Sequence, residues 1–277
     1  MIDKEKLKRR FSRNVKNYNK YANVQKKMGD NLINHIKNDN LHIKKILEIG
    51  CGTGYLTKKL INNFSSAKIT AVDIAPGMIE YVKFNIKYNN VNFICGDIEE
   101  IDLNDKYDLI ISNATFQWFN YLEKTIDKLI GLLNINGILC FSTFGKNTFK
   151  ELGEAFNKAK NILKVSEKVS PSQSFCSSKE LFDICNNINR NNLKDIEINL
   201  LETYEYEYFN CCTDFLYSVK KIGANNSQRG RNITTPDFIK KVIDIYDRDY
   251  QKNGKVVATY HILYVYIKLI HDYKANI

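Results

Sequence analysis

The sequence predicts an α/β fold, a mainly parallel sheet with helices packed on both faces, and three observations predict it. Short apolar runs alternate with helical patterns through the first half of the chain, the rhythm of strand-helix-strand units. The first run stops at a glycine cluster, Gly50-Cys51-Gly52-Thr53-Gly54, where a strand would turn into a helix. With 44% hydrophobic residues, among them 15 Phe and 17 Tyr, the chain of 277 residues carries enough apolar surface for a sizeable core.

Taken in order, Lys6 to His35 reads as helix, weakened at Gly29. Lys45 to Ile49 is a buried strand that ends in the glycine cluster, and helix follows to Asn63. Ile69 to Asp73 is the second strand; Pro76 then sits where a first helical turn tolerates proline, and helix runs to Lys87. Val91 to Cys95 and Tyr107 to Ser112 are strands, Leu122 to Leu133 a helix, and Gly137 to Phe144 the fifth strand. Beyond it the rhythm breaks. Helices are expected over Asn147 to Leu163, Lys179 to Asn187, Thr213 to Ile222 and Pro236 to Tyr250, with a polar loop from Ser166 to Ser178. Ile196 to Tyr208 and Val256 to Ile267 have the aromatic, β-branched character of late sheet strands. This divides one domain, 1–277, into an amino-terminal helical cover (1–40), a cofactor-binding core (41–145), a helical lid (146–195 and 212–252) and closing strands (196–211 and 253–277).

Composition excludes several classes. The charged start, Met1 to Lys6, has no apolar stretch behind it, and Val256 to Ile270 is too short and too interrupted to span a bilayer, so no membrane is expected and a cytoplasmic location is. The 7 Cys and 4 His show no paired spacing, so neither a disulfide framework nor a metal site is expected. A formal net charge of +10 permits an acidic partner without requiring one.

In an open parallel sheet, ligands bind beyond the carboxyl ends of the strands. Gly50, Gly52 and Gly54 allow a tight turn and close backbone approach, whereas Tyr55 stands where a dinucleotide fingerprint would need its last glycine. The loop therefore suits a nucleoside cofactor without a pyrophosphate. Asp73, closing the second strand, can accept the hydroxyl protons of a ribose. Asp97 can accept from an adenine amino group while Ile74, Met78 and Ile98 pack on the ring, and Ser112-Asn113-Ala114 faces the rest of the cofactor.

Leu47-Glu48-Ile49-Gly50-Cys51-Gly52-Thr53-Gly54 resembles the first motif of the Rossmann-like methyltransferase superfamily. Phe11-Ser12-Arg13 through Tyr18, Ala22 and Gln25 is narrower, as are Ser112 to Trp118 and Phe141-Ser142-Thr143-Phe144-Gly145 followed by Glu151-Leu152 and Ala155-Phe156. With Ile222-Gly223-Ala224-Asn225, Gly230-Arg231 and Thr259-Tyr260-His261, these segments resemble the malonyl-acyl carrier protein O-methyltransferases of biotin synthesis. One departure lies between Ala224 and Arg231, where Arg229 adds a charge.

The resemblance implies a Rossmann-like seven-stranded sheet and S-adenosylmethionine as cofactor, left as S-adenosylhomocysteine. It implies methyl transfer to the free carboxylate of malonyl-acyl carrier protein, giving the methyl ester that starts pimeloyl synthesis, and leaves open whether malonyl-coenzyme A is also accepted. Cofactor residues would be Tyr21, Gln25, Gly50, Cys51, Gly52, Gly54, Asp73, Ile74, Met78, Asp97, Ile98, Asn113 and Phe116. Tyr18 would close over the methyl donor and Arg231 would position the substrate carboxylate, with Trp118, Phe144, Arg229 and His261 in the substrate pocket. For His261, read from its strand position beside Tyr260, a buried structural role is the preferred reading and substrate contact the lesser one. An acidic carrier would dock on a lid holding Lys220, Lys221, Arg229, Arg231, Lys240 and Lys241. The rivals are a methyltransferase of another small acid, one of RNA, and an inactive cofactor- or carrier-binding protein. Against RNA, Asn113-Ala114-Thr115-Phe116 stands where amino-group methylases carry a Pro-Pro-aromatic motif, and nucleic acid is not the expected partner.

Overall fold

The computed structural model describes residues 1–37, 42–165, 174–191, 194–224 and 235–272. Strands β1 (Lys45–Ile49), β2 (Lys68–Asp73), β3 (Val91–Cys95), β4 (Tyr107–Asn113) and β5 (Leu133–Phe144) run parallel. They fall where the apolar runs predicted. The sheet continues through β6 (Lys194–Phe209), a two-residue β7 (Gln251–Lys252) and β8 (Lys255–Asp272) in the spatial order β3-β2-β1-β4-β5-β8-β6, with β7 paired to β8. β8 is antiparallel to both neighbours. Asn253 (φ 53°) and Gly254 (φ 75°) turn β7 into β8, the Asn-Gly signature of a two-residue hairpin.

The sequence direction reverses between β1 and β4, so the crevice beyond their carboxyl ends is the topological switch point. Register sets it level. Ile49 lies opposite both Val72 and Ser112, Asp73 opposite Cys95, and Asn113 opposite Ser142.

Two helices stand where one was expected at the amino terminus: α1 (Lys4–Tyr21), capped by Asp3, and α2 (Asn23–Lys37), with Ala22 out of helical geometry between them. Their apolar faces go to different surfaces. Leu7, Phe11, Val15 and Tyr18 of α1 pack beside Ala75, Met78 and Trp118, while Val24, Met28, Leu32 and Ile36 of α2 enter the core beneath the sheet. Gly29 tightens that contact, since a Cβ there would lie 3.4 Å from the Asn113 amide.

Helices α3 (Tyr55–Asn63) and α4 (Pro76–Asn85) share that core with α2, and α5 (Leu122–Gly131) covers the opposite face. Leu133, expected to end α5, instead pairs with Tyr107 and begins β5. Phe149 (φ 58°) delays α6 (Lys150–Leu163) relative to its expected start at Asn147.

The lid also differs from expectation. α7 (Ser178–Asn191) is a wall of the sheet: Leu181, Cys185 and Ile188 join Ile126, Leu129, Leu263 and Val265 beside α5. α6, α8 (Cys212–Lys221) and α9 (Pro236–Asp249) pack on the other face over Tyr260 and Ile262, with Phe156 against Phe238 at 5.4 Å. Among the described lid residues, α8 and the turn after it reach α1, through Tyr217 against Tyr21 and Gly223 (φ 77°) against the backbone of Arg10. Most of the loop expected over Ser166 to Ser178, and the segment with Gly230-Arg231, lie outside the described residues. No helix among the described residues is long and apolar enough to cross a membrane.

Candidate functional site

β1 ends by bonding across to its neighbour: Gly50 and Cys51 both donate their N–H groups to the Val72 carbonyl, at 2.7 and 3.1 Å. Gly50 takes φ 72°, where a side chain is strained, and a Cβ there would strike the Thr115 side chain. The turn delivers the Gly52 N–H to Asp73 Oδ2 at 2.8 Å, while Oδ1 accepts the Ala75 N–H at 2.8 Å. Burial pushes the Asp73 carboxyl up to about 6 against the pull of these two hydrogen bonds. Each oxygen keeps a second lone pair, so the carboxylate can still accept a hydroxyl proton.

Around this clamp lies a cavity of about 630 Å³, counting its open mouth. Gly50, Gly52 and Asp73 form one side; Ile74, Met78, Asp97 and Ile98 form another, and Asn113, Ala114, Thr115, Trp118 and Phe119 a third. Leu7, Phe11 and Tyr18 of α1 close it over. The Tyr18 phenol is held well above its usual range by burial and then by the Asp73 charge, so it stays protonated. Phe11 meets Trp118 edge-on at 5.7 Å. Lys4 anchors the cover, pairing with Asp97 at 3.1 Å and Glu99 at 2.5 Å. A second hollow, sharing Tyr18, Gly50, Gly52 and Asn113, adds Gln25 and Cys51. Asn113 donates to the Gln25 carbonyl at 2.8 Å and accepts from Ser142 Oγ at 2.7 Å, which ties α2 to the ends of β4 and β5.

A family model for a methyltransferase domain matches residues 40–203. The malonyl-[acyl-carrier protein] O-methyltransferase of Acetivibrio thermocellus is 49% identical over 96% of this chain and 94% of its own. That of Priestia megaterium is 44% identical over 95% and 97%. The chain belongs to the malonyl-[acyl-carrier protein] O-methyltransferase family. Among solved structures, the YcgJ protein of Bacillus subtilis superposes with a TM-score of 0.58 at 14% identity, covering 86% of this chain and 98% of that one. The plantazolicin methyltransferase BpumL, in complex with SAH and a pentazolic desmethylPZN analog, gives 0.54 at 13% identity, covering 97% and 98%. At that distance both speak for the methyltransferase fold alone.

Within this member of the family, Tyr18, Gly50, Gly52, Asp73, Ile74, Met78, Asp97, Ile98, Asn113 and Trp118 come together around the main cavity, and Gln25 and Cys51 around the second. Gly54 opens α3 and packs against Ile86 instead. Phe116 turns away into the core, stacked on Phe141 at 3.6 Å, because the 3-10 turn Phe116–Trp118 puts its two rings on opposite sides. Tyr21 lies on Tyr217 at 6.1 Å, outside both hollows. Phe144 sits in a cluster with Phe175 and Tyr260. His261 stacks on Tyr204, accepts the Asn147 N–H on Nδ1 at 3.2 Å and places Nε2 2.9 Å from Glu202. Burial lowers its pKa, so a neutral ring protonated at Nε2 fits its partners. Arg229 and Arg231 lie outside the described residues. Lys4, Leu7, Thr115 and Phe119 line the cavity without having been expected there. Leu7, Phe11 and Tyr18 share one helical face, a spacing that was available as a signal.

Proposed function

We propose that the chain transfers the methyl group of S-adenosylmethionine to the free carboxylate of a malonyl thioester on acyl carrier protein. The observation that carries the cofactor is the cradle itself: a glycine turn that a Cβ would fill, beside a buried acid with acceptor capacity to spare. Asp73 would hold the ribose hydroxyls, and Ile74, Met78 and Ile98 would flank the adenine with Asp97 at its edge. Gly50, Gly52, Gln25 and Asn113 would border the methionine part. When bound, the cofactor supplies an electrophilic methyl group on a sulfonium.

The chain's own residues fit an acceptor that is already an anion. Carboxyl groups ionise near pH ~4, so a malonate carboxylate supplies the electron pair of the new O–CH3 bond with no proton to remove. Correspondingly, among the described residues the acids lining the main cavity are Asp73 and Asp97, one clamped by backbone N–H groups and the other paired with Lys4. Neither is placed as a base. Tyr18, Phe11 and Trp118, which line the cavity, would keep water from the bound pair and so replace hydration by fixed contacts as the two charges meet. Arg231 would pair bidentately with the malonyl carboxylate and fix its direction. Arg231→Ala would then lower turnover and leave cofactor affinity intact.

The test is to incubate the protein with S-adenosylmethionine and malonyl-carrier protein, acetyl-carrier protein or malonyl-coenzyme A, following methylation by mass spectrometry. Methylation of the malonyl forms alone supports carboxyl O-methyl transfer, and the ratio of the two reports the preferred carrier. No transfer to any of them, with cofactor bound, sinks the reading.

A further inference from the structure

α1 is two-sided. Its inner face gives Leu7, Phe11 and Tyr18 to the cavity. Its outer face carries Lys6, Arg9, Arg13, Lys16 and Lys20, which at about 100° per residue fall within a sector of roughly 80° and run roughly 20 Å along the helix. The helix holds eight cations against one acid, Glu5, and Glu5 is neutralised by Lys8 at 2.8 Å. Lys4 and Lys8 are ion-paired and Arg10 lies in the field of Asp3, but among the described residues none of the five cations of the outer stripe is ion-paired, so the stripe is uncompensated. It does not stop at the helix end. Lys20 lies over the Tyr21 ring at 5.6 Å, Tyr21 meets Tyr217, and Lys221 of α8 lies over Tyr217 at 4.8 Å.

We infer that this outer face of α1, continued through Tyr21 and Tyr217 to Lys221, is the docking surface for the acidic carrier protein. The inference rests on the proposed substrate. Of the lid lysines expected from sequence, those on α9 make a poorer candidate: Lys240, Lys241 and Arg248 share the helix with Asp237, Asp244, Asp247 and Asp249. Their field is largely cancelled along the helix, whereas that of α1 adds up. A uniform row of cations attracts an acidic helix over its whole length and speeds encounter in a salt-dependent way. Docking there brings the partner onto a helix that also roofs the cavity.

The experiment compares wild type, Arg13→Glu with Lys16→Glu, and Lys240→Glu with Lys241→Glu, using malonyl-carrier protein and malonyl-pantetheine as acceptors. The α1 pair is expected to raise KM for malonyl-carrier protein about tenfold, with kcat and the KM for malonyl-pantetheine unchanged. It should weaken binding of the carrier protein without its pantetheine arm by a similar factor, read by fluorescence anisotropy. The α9 pair should move neither, and Arg13→Lys with Lys16→Arg should restore wild-type behaviour. An unchanged carrier KM in the α1 pair, a larger effect from α9, or loss of RNA affinity in place of carrier affinity would overturn the inference. Failure of the substrate reading shows differently, as absence of transfer by wild type to either acceptor.

Discussion

Asp73 Oδ2 accepts the Gly52 N–H at 2.8 Å, so the end of β2 holds the glycine turn that follows β1. The same buried carboxyl is raised to about 6. An acid whose folded pKa lies above its ordinary value contributes stability that is present below that value and lost as pH rises through about 6. Cofactor binding should run the other way, because a protonated carboxyl loses acceptor capacity for ribose hydroxyls. Calorimetric titration with S-adenosylmethionine should therefore show affinity falling as pH drops below about 6. Asp73→Asn should weaken binding by about 1–3 kcal/mol and abolish that pH dependence. A pH-independent wild-type affinity would remove Asp73 from the contact.

Gly50→Ala should destabilise the fold and the cofactor site together. Left-handed backbone costs a side chain about 1–2 kcal/mol, and the new methyl would meet Thr115. Combining it with Thr115→Ala should recover the steric part alone. Melting temperatures of the three variants separate the terms, and full recovery in the double variant would show that backbone strain is negligible.

Glu48 is buried on β1, and burial pushes its carboxyl up to about 8. Between its ordinary value of 4.5 and about 8, the unfolded chain ionises while the folded one stays protonated, so stability falls as pH rises through that window. Glu48→Gln, which cannot ionise, should flatten the slope by an amount on the order of a few kcal/mol across it. Urea unfolding at several pH values measures this; parallel slopes for the two proteins would place Glu48 in a more polar setting than its burial implies.

Trp118 is the single tryptophan and borders the cavity. Its emission should respond to S-adenosylmethionine titration with the same midpoint as calorimetry. Phe116, two residues away, is a core ring; Phe116→Ala should cost about 3–5 kcal/mol of stability while the folded protein keeps its cofactor affinity. Silent Trp118 emission during binding, or lost affinity in folded Phe116→Ala, would reverse the assignment.

The sheet and the glycine turn were legible because each parallel strand is a short apolar run and each strand end carries a polar marker. The break at Ala22 was not, since both halves of the helix are amphipathic and only the surfaces they meet decide that they must diverge. Nor could periodicity say that α7 walls the sheet while α6 and α9 cover its other face, as all three carry one apolar stripe. Phe116 and Trp118 are indistinguishable as sequence neighbours; a single 3-10 turn sends one inward and the other to the cavity. The hairpin at Asn253-Gly254 was legible too, since both residues take the positive φ that this pair favours.

β8 lies between β5 and β6, yet it follows both along the chain. During synthesis the glycine-turn half can form first, but one edge of β5 stays bare and β6 has no strand to pair with until Lys255–Asp272 leaves the ribosome. Keeping the nascent chain from aggregating is thus a matter of elapsed time, set by how soon that one strand arrives.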